Sequence, residues 1–590
     1  MRRITIMNNT PVFKIASLLL SIFIVFTAFS TKAQNNEEKT HNEQVVIIGS
    51  TDPTVNQSRK INLTPEEPVQ PTIKKDFTFT PINKYFYTPS KFSPIKPASF
   101  SSYVMQDIYN NVVKAGFGTR ISPYVEFFHS QAHKGKFKFD FHALHHSSFG
   151  KVSGYTPSPT SNSLVETGYT QYLKNHTVEF KTGYRYRTHQ NYVGITSYNQ
   201  DDYDMFKLAY NLLFFDANIT SNYKNNRKLH HDIKTGGYYF FNKRQQNFYT
   251  QSNELNLYTL FDFHKAYRVS DVLDFQHLGG SGKIEYYKTN NTIYPAGNGT
   301  DTANITDILT SITPYFKARY GILSFKAGLK ISYLSSNKNG HFRIFPDILA
   351  RVNLLPEYLE LYAGAGGKYK KNSYKLLAEE NPFITPNIPT NWKVDKLKFY
   401  GGFRGNVAKT LGFNMELSWT TFKNDYFYVS LFDKNQPQTH YLNNFIVIND
   451  DGTLINFNGQ LTYSISPKVN FYMAYQYNNY NLESLAKPTG KLLQQLRTGG
   501  SYLIKERFKP WFEVIYVGKR EALSISSGFS AVDNIELNSF IDLNLGMDYF
   551  HTENISAFIK ITNLLNNKYE YFYNHPTYGI EIMLGAGYKF

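Results

Sequence analysis

The C-terminal segment, Ile580 to Phe590, alternates between apolar side chains and small, polar or charged ones. Because side chains along a β-strand point to opposite faces with a period of two, one face of this segment is apolar and ends in two aromatic residues. A frayed terminus in water gains little from such a face. A strand that pairs on both sides and turns its apolar face to lipid does gain from it. The segment therefore predicts the closing strand of a membrane barrel.

The same alternation recurs along most of the chain. Leu323–Tyr333, Ile455–Ser466 and Ile541–Phe550 each place apolar side chains on one face and mostly polar or small ones on the other. Tracts of about ten residues match a tilted strand that crosses the hydrocarbon layer, and the sequence has room for roughly 22 of them. The predicted fold class is all-β, a transmembrane antiparallel β-barrel that follows a Pro-rich irregular N-terminal segment.

The joints between these tracts alternate in length, as expected for short periplasmic turns and long outer loops. Short joints are predicted at Arg120–Pro123, His133–Gly135, Lys174–His176 and His551–Asn554, and longer ones at Lys151–Ser163, Asn290–Asp307, Lys371–Lys393, Asp433–Thr439 and Glu521–Asn534. A barrel of this strand number encloses a wide lumen. We therefore expect the lumen to be filled by the N-terminal segment, by inward-folded loops or by another protein.

Composition supports a membrane barrel and excludes several other classes. Aromatic residues make up 17% of the chain, with 47 Tyr, 48 Phe and 3 Trp, while the mean hydropathy is only −0.42. Alternating lipid-facing and lumen-facing strands produce this mixture. The absence of cysteine excludes disulfides, thiolate metal sites and a lipidated N-terminal cysteine. The net charge of +17 is spread along the chain rather than gathered in a basic stripe, so nucleic acid is not an expected partner.

Residues 1–33 have the pattern of a secretory signal peptide. Basic residues precede the apolar run Ile15–Phe29, and small residues lead to a predicted cleavage between Ala33 and Gln34. The apolar run is shorter than the ~20 residues of a membrane-spanning helix, although a retained anchor is the alternative.

The following segment, residues 34–108, is rich in proline, which forbids long helices. We predict that it lies partly within or beneath the lumen of a barrel formed by residues 109–590. The alternative is a periplasmic tail that tethers a partner.

No set of residues indicates catalysis, a cofactor or a metal, so the chain is not predicted to be an enzyme. The pairs His145–His146 and His230–His231 are poor chelators, because neighbours on a strand face opposite sides. The glycine runs Gly279–Gly282 and Gly364–Gly367 lack the lysine and helix of a phosphate loop, and barrel bends or close packing of the lumen wall explain them better.

Lysines on the predicted lumen face have two interpretations. The lysines concerned are Lys326, Lys330, Lys560 and Lys589. They could select anionic solutes, or they could be balanced by acidic neighbours such as Asp542, Asp548 and Glu581.

Two segments resemble a known family. Phe558–Tyr569, followed by the strand that ends at Phe590, is similar to the last two strands of the TonB-dependent receptor barrels of Gram-negative outer membranes, especially the Bacteroidota type. Asn381-Pro382-Phe383 resembles a recurrent loop of that family. The resemblance covers the barrel portion only, because residues 34–108 show no recognisable plug domain. It therefore does not extend to energy coupling through TonB.

The last strand also resembles the signal that the outer-membrane assembly machinery reads. Gly585, Tyr588 and Phe590 occupy its positions, while Met583 stands where the signal prefers a polar residue. The resemblance implies a protein of the cell outer membrane, in contact with lipid, that takes part in solute transport. A surface lipoprotein or another complex subunit is an expected partner. The alternative is a non-transporting scaffold or assembly subunit of an outer-membrane complex.

Overall fold

The computed structural model describes residues 109–131, 135–152, 154–192, 207–225, 227–242, 250–293, 301–337, 339–386, 388–407, 410–432, 443–466, 468–525 and 532–590. The predicted cleavage between Ala33 and Gln34 and the Pro-rich segment lie outside these residues. Within the described ranges, no helix has both the length and the apolar character needed to cross a membrane.

Strands make up nearly all of the regular structure, together with one described helix. The strands are β1 (Asn111–Gly118), β2 (Ser122–Ser130), β3 (Phe137–Ser148), β4 (Thr160–Tyr172), β5 (His176–Gln190), β6 (Lys207–Ser221), β7 (His230–Asn242), β8 (Thr250–Ala266), β9 (Phe275–Ile293), β10 (Asp301–Tyr320), β11 (Leu323–Ser336), β12 (Asn339–Leu355), β13 (Leu359–Lys371), β14 (Trp392–Val407), β15 (Leu411–Ser430), β16 (Phe445–Ser466), β17 (Val469–Leu482), β18 (Gln494–Tyr502), β19 (Phe508–Val517), β20 (Arg520–Ile525), β21 (Val532–Leu537), β22 (Phe540–Phe550), β23 (Ile555–Thr562), β24 (Glu570–Phe572), β25 (His575–Pro576) and β26 (Glu581–Lys589). The helix is α1 (Tyr374–Glu380).

The pairing order closes the sheet into a barrel. Each strand from β1 to β19 pairs antiparallel with the next, β19 continues through β22 and β23 to β26, and β26 pairs with β1. The result is a closed antiparallel barrel of 22 strands, which confirms the predicted fold class and strand number. Closure removes both sheet edges, so each strand of the wall has a neighbouring strand on both sides. Strands β20, β21, β24 and β25 lie in the connections instead.

The two rims differ in the length of their connections. The rim that holds Asn111 and Phe590 has tight turns such as 321–322 and 356–358, while the other carries the connections 372–391, 518–539 and 563–580. Short turns face the periplasm in outer-membrane barrels, which orients the molecule. The predicted long loop at Asn290–Asp307 is wrong in part, because β9 runs to Ile293 and β10 begins at Asp301.

The closing strand β26 shows the predicted two faces. Leu584, Tyr588 and Phe590 are 59%, 47% and 51% exposed on the outer surface, whereas Met583 and Glu581 are buried against the interior. Exposed apolar side chains recur in this way around the wall, as at Phe180, Ile312 and Leu417. This outer surface is the apolar belt that faces lipid.

Tyrosines on the inner face lie over glycines of neighbouring strands. A side-chain carbon placed on Gly279 would lie 2.5 Å from Tyr315, whose hydroxyl donates to Asp262 at 2.9 Å while Lys317 lies over its ring. The same arrangement of glycine, carboxylate and base recurs at Tyr258 and Tyr362, whereas at Tyr472 the base, Arg497, donates to the carboxylate of Glu513 that accepts from the tyrosine. Close packing of the wall therefore accounts for Gly279 and Gly282, whereas Gly280 has open space beside it.

Candidate functional site: a loop folded into the lumen

The connection between β13 and β14, residues 372–391, folds into the barrel and is called here the lumen loop. Its helix α1 begins after Ser373, whose side chain accepts a hydrogen bond from the Leu376 N–H at 3.1 Å. The carboxylate of Glu254 on β8 accepts from the backbone N–H groups of Tyr374 (2.7 Å) and Lys375 (3.3 Å). A carboxylate here satisfies donors that a helix start leaves unpaired and complements the helix dipole. Because Glu254 is fully buried on the inner face of β8, α1 lies inside the barrel.

The helix ends where the sequence forbids its continuation. The Asn381 N–H donates to the Leu377 carbonyl at 2.8 Å, and the Asn381 side chain then accepts from the Phe383 N–H at 3.0 Å. Pro382 follows, and a proline disfavours helical backbone in the residue before it. The resembled Asn-Pro-aromatic motif thus turns the chain back across the lumen.

Apolar packing joins the lumen loop to two distant parts of the wall. The buried cluster contains Tyr374, Leu377, Ala378, Ile384 and Ile388 of the loop, Leu208, Tyr210, Leu212 and Phe240 of β6 and β7, and Tyr426, Tyr428, Phe445 and Val447 of β15 and β16. Several strands separate these two wall segments along either route around the barrel. The loop therefore spans the lumen from one side to the other.

Polar contacts hold the loop at both walls. On β6, the Tyr210 hydroxyl donates to the Pro382 carbonyl at 2.7 Å. On β15, the Tyr428 hydroxyl donates to the Leu377 carbonyl at 3.2 Å, and the Tyr426 hydroxyl donates to Glu380. Hydroxyls of two opposite walls thus donate to the helix and to the residues that follow it.

A buried ion pair closes the base of the loop. The Lys371 ammonium at the end of β13 lies 2.5 Å from an Asp307 carboxylate oxygen on β10 and donates to the Thr390 carbonyl at 2.9 Å. Both charged side chains are only 1% exposed, and Ser336 donates to the other Asp307 oxygen at 2.5 Å. Lys371 thereby joins the beginning of the loop, its end and the wall.

A second buried charged group, Lys491 in the connection between β17 and β18, lies near Glu380 at the end of helix α1. The Lys491 ammonium lies 3.4 Å from the Tyr426 ring centre and 3.7 Å from Asp425. Burial lowers the pKa of Lys491, and the charges of Asp425 and Glu380 oppose that shift. Burial likewise raises the pKa of Glu380, which the charge of Lys491 opposes.

Other long connections pack over the lumen loop and form, with it, the lumen cap. The cap comprises residues 191–192, the lumen loop, 443–445, β20 and 563–580. The His575 ring lies 4.0 Å from the Phe383 ring, and the Asn443 amide donates to the Tyr192 and Asn574 carbonyls at 2.8 and 3.1 Å. Strand β20 adds a short parallel pairing to β15. Burial lowers the pKa of His575 to about 3, so its imidazole is neutral at physiological pH.

The lysines considered for anion selection have neighbouring groups on the wall. Lys326 pairs with Asp347 at 2.5 Å, Lys330 donates to the Gly367 carbonyl at 3.1 Å, and Lys589 lies over the Phe550 ring. Lys560 is buried, 5% exposed. Lys326 is thus balanced by a carboxylate, and the choice between a balanced and an anion-selective wall stays a prediction.

The predicted assembly-signal residues divide between the two faces of β26. The Tyr588 and Phe590 rings stack on the outer surface with centres 5.5 Å apart. Gly585 faces inward, where an added side-chain carbon would lie 2.2 Å from the Phe558 ring. Their role in assembly stays a prediction.

The histidine pairs split between the two faces, as expected for neighbours on a strand. His230 stacks on His264 across the inner face, 5.3 Å between ring centres, whereas His231 lies 5.2 Å from His176. Among the described residues, no group of three or more histidines or carboxylates is arranged to hold a metal ion.

Sequence reasoning missed Glu254, Lys371 and Asp307, which fix the lumen loop. A local signal was present, since Ser373 precedes the helix-forming run Tyr-Lys-Leu-Leu-Ala-Glu-Glu in an otherwise strand-forming chain. The partner Glu254 lies 120 residues away along the chain, so no local pattern identifies it.

Comparison with known proteins places the fold. No protein-family model matches the sequence, and no curated protein matches it. The structure is similar to the pyoverdine outer-membrane receptor FpvA of Pseudomonas aeruginosa, with a TM-score of 0.59, 12% identity and coverage of 82% of this chain and 79% of that one.

Two further solved structures are similar to this chain over most of their length. The FrpB iron transporter of Neisseria meningitidis has a TM-score of 0.59 at 12% identity, with 82% of each chain covered. The siderophore receptor PiuA of Acinetobacter baumannii has a TM-score of 0.58 at 10% identity, covering 83% of this chain and 82% of that one. These neighbours are receptors and transporters rather than enzymes, in line with the sequence expectation. The chain is thus a 22-strand barrel of the cell outer membrane, with the fold of the outer-membrane siderophore receptors.

Proposed function

We propose that this protein takes part in moving a solute across the outer membrane through its lumen, and that the lumen loop is the gate. The observation that carries the proposal is helix α1, which lies inside the barrel and contacts both the β6–β8 wall and the β15–β16 wall. A segment that spans a lumen from wall to wall controls what passes along it. The similar structures, described as an iron transporter and siderophore receptors, support a role in transport.

Besides the apolar cluster and the buried Lys371–Asp307 pair, the loop is held by hydrogen bonds that can be exchanged for water. Tyr210 and Tyr428 donate to loop carbonyls, and Glu254 accepts from loop N–H groups. Each of these polar groups finds water as a partner when the loop moves away, so the net cost of separating one contact is about 0.5–1.5 kcal/mol for a tyrosine hydroxyl and about 1.5–3 kcal/mol for the Glu254 carboxylate. A loop held in this way is suited to repeated opening.

We do not extend the proposal to energy coupling through TonB, because the sequence of residues 34–108 has no pattern that resembles the plug of the family. A surface lipoprotein remains the proposed partner. No contact within the described ranges specifically favours the scaffold role, and the comparisons give it no support.

Replacing the lumen loop tests the proposal directly. Lys371 and Trp392 are paired across β13 and β14, so an Asn-Gly turn can replace residues 372–391 without changing either strand. In planar bilayers we expect this variant to show a larger and steadier conductance than the native protein. A Gly-Ser loop of the native length is the matched control, because it keeps the chain length but removes the wall contacts. Native conductance in the Asn-Gly variant would refute the gate.

A further inference from the structure

The periplasmic rim carries a compact group of basic and aromatic residues on its outer side. The turn between β4 and β5 presents Lys174, and the connection between β6 and β7 presents Lys228; both side chains are exposed. Neither connection contains an aspartate or a glutamate. Their positive charge therefore has no acidic partner within these two turns.

Aromatic rings and imidazoles lie next to Lys228, and one of them, His176, begins the strand that follows Lys174. The Lys228 ammonium lies 4.9 Å from the centre of the Tyr223 ring, and the Tyr223 hydroxyl lies 3.3 Å from His176 Nε2. The His231 ring lies 5.2 Å from that of His176. Phenol, imidazole and ammonium groups are all donors to phosphate oxygens. The cluster thus gathers several phosphate-binding groups at one place on the rim.

Backbone contacts hold the two turns in a fixed relation. The Asn222 N–H donates to the Asn175 carbonyl at 2.7 Å, and its side chain donates to Thr177 Oγ1 at 2.6 Å. The His231 N–H donates to Ser221 Oγ at 2.8 Å. The cluster is therefore part of the folded rim rather than a chance approach of long side chains.

The position of the cluster identifies its partner. Leu173 and Leu229, each beside one of the lysines, are 50% and 53% exposed. They continue the lipid-facing belt of Phe180 and Ile219, which are 44% and 42% exposed on β5 and β6. An apolar surface bordered by basic and aromatic groups is complementary to a phospholipid, whose acyl chains contact the apolar side chains while its phosphate contacts the basic groups.

We propose that this cluster is a binding site for an anionic phospholipid of the inner leaflet. Lys174, Lys228, His176 and Tyr223 contact the phosphate, and Leu173 and Leu229 contact the upper acyl chains. The site lies outside the lumen and is independent of the transport proposal. It would give the barrel a preferred lipid at one place on its periplasmic rim.

Native mass spectrometry of the full-length protein in a neutral detergent tests the site, with phosphatidylglycerol as the probe. We expect the native protein to retain phosphatidylglycerol and not phosphatidylcholine. The double variant Lys174→Gln/Lys228→Gln should bind it roughly 25-fold more weakly, at about fivefold for each charge near an anionic surface. The matched control Lys468→Gln/Lys505→Gln removes two charges from another part of the same rim and should bind as the native protein does.

Two further arms separate the possible sources of phosphate. Leu173→Asn/Leu229→Asn should weaken phosphatidylglycerol binding, and inorganic phosphate at equal concentration should not displace the lipid. Equal loss in the control variant, or displacement of the lipid by inorganic phosphate, would overturn the proposal. All of these substitutions are at the exposed rim, and retained heat-modifiable migration of each variant confirms folding.

Discussion

Replacing Lys371 with methionine should open the lumen loop. Lys371 Nζ is bonded to Asp307 and to the Thr390 carbonyl, and methionine keeps much of the side-chain volume while removing the charge. The Asp307 carboxylate would then remain buried with Ser336 as its hydroxyl donor. An uncompensated buried charge is costly, because water no longer solvates it.

The expected magnitude follows from the burial of the pair. Both side chains are 1% exposed, so solvent screening offers little relief, and removing one partner of such a pair costs about 3–5 kcal/mol. The Ser336 hydrogen bond places Asp307 at the lower end of that range. About 3 kcal/mol corresponds to a shift of somewhat more than 100-fold toward the open loop. Strand β10 keeps its pairing with β9 and β11, so the change should fall mainly on the loop.

Single-channel recording in planar bilayers measures this shift as open probability. The double variant Lys371→Met/Asp307→Leu removes both charges, and replacing a whole buried pair by apolar residues is close to neutral. The open probability of the double variant should therefore fall most of the way back to the native value. Native open probability in Lys371→Met would refute the reasoning, and so would a double variant as open as the single one.

Further expectations concern other parts of the chain. Burial lowers the pKa of His575 from 6.5 to about 3, so the imidazole takes up a proton at mildly acidic pH only when the cap is open. The closed state therefore loses stability relative to the open state as the pH falls below 6.5, by about 2 kcal/mol at pH 5. Open probability at pH 5 should rise in the native protein but not in His575→Gln. Phe590→Asp should lower outer-membrane levels more than the mild loss of barrel stability expected for a charge at the interface, measured by fractionation, and unchanged levels would remove the assembly role. Deleting Asn35 to Lys96 should enlarge the conductance if that segment fills the lumen, and an unchanged conductance would favour a periplasmic tail. Mass spectrometry of the purified protein should show Gln34 as its first residue, and an intact N-terminus would exclude cleavage there.

The sequence alone specified the wall of the barrel. Alternation in β26 and in tracts such as Leu323–Tyr333 depends only on the period of a strand and on which side chains tolerate lipid. These are local properties, and the membrane imposes closure because no sheet edge is tolerated in hydrocarbon. The fold class, the strand number and the lipid-facing identity of Tyr588 and Phe590 were therefore predictable.

What fills the outer part of the lumen was decided only by the tertiary structure. The sequence left inward-folded loops as one of three possibilities, because a loop of mixed composition folds inward or outward according to the partners that meet it. The partners are Glu254 on β8, Asp307 on β10 and Tyr428 on β15, each distant from the lumen loop along the chain. Closure of the barrel brings them to the same level of the lumen, where buried charges and hydroxyls require partners. The wall follows from local periodicity, and the gate follows from contacts that exist only after the wall has closed.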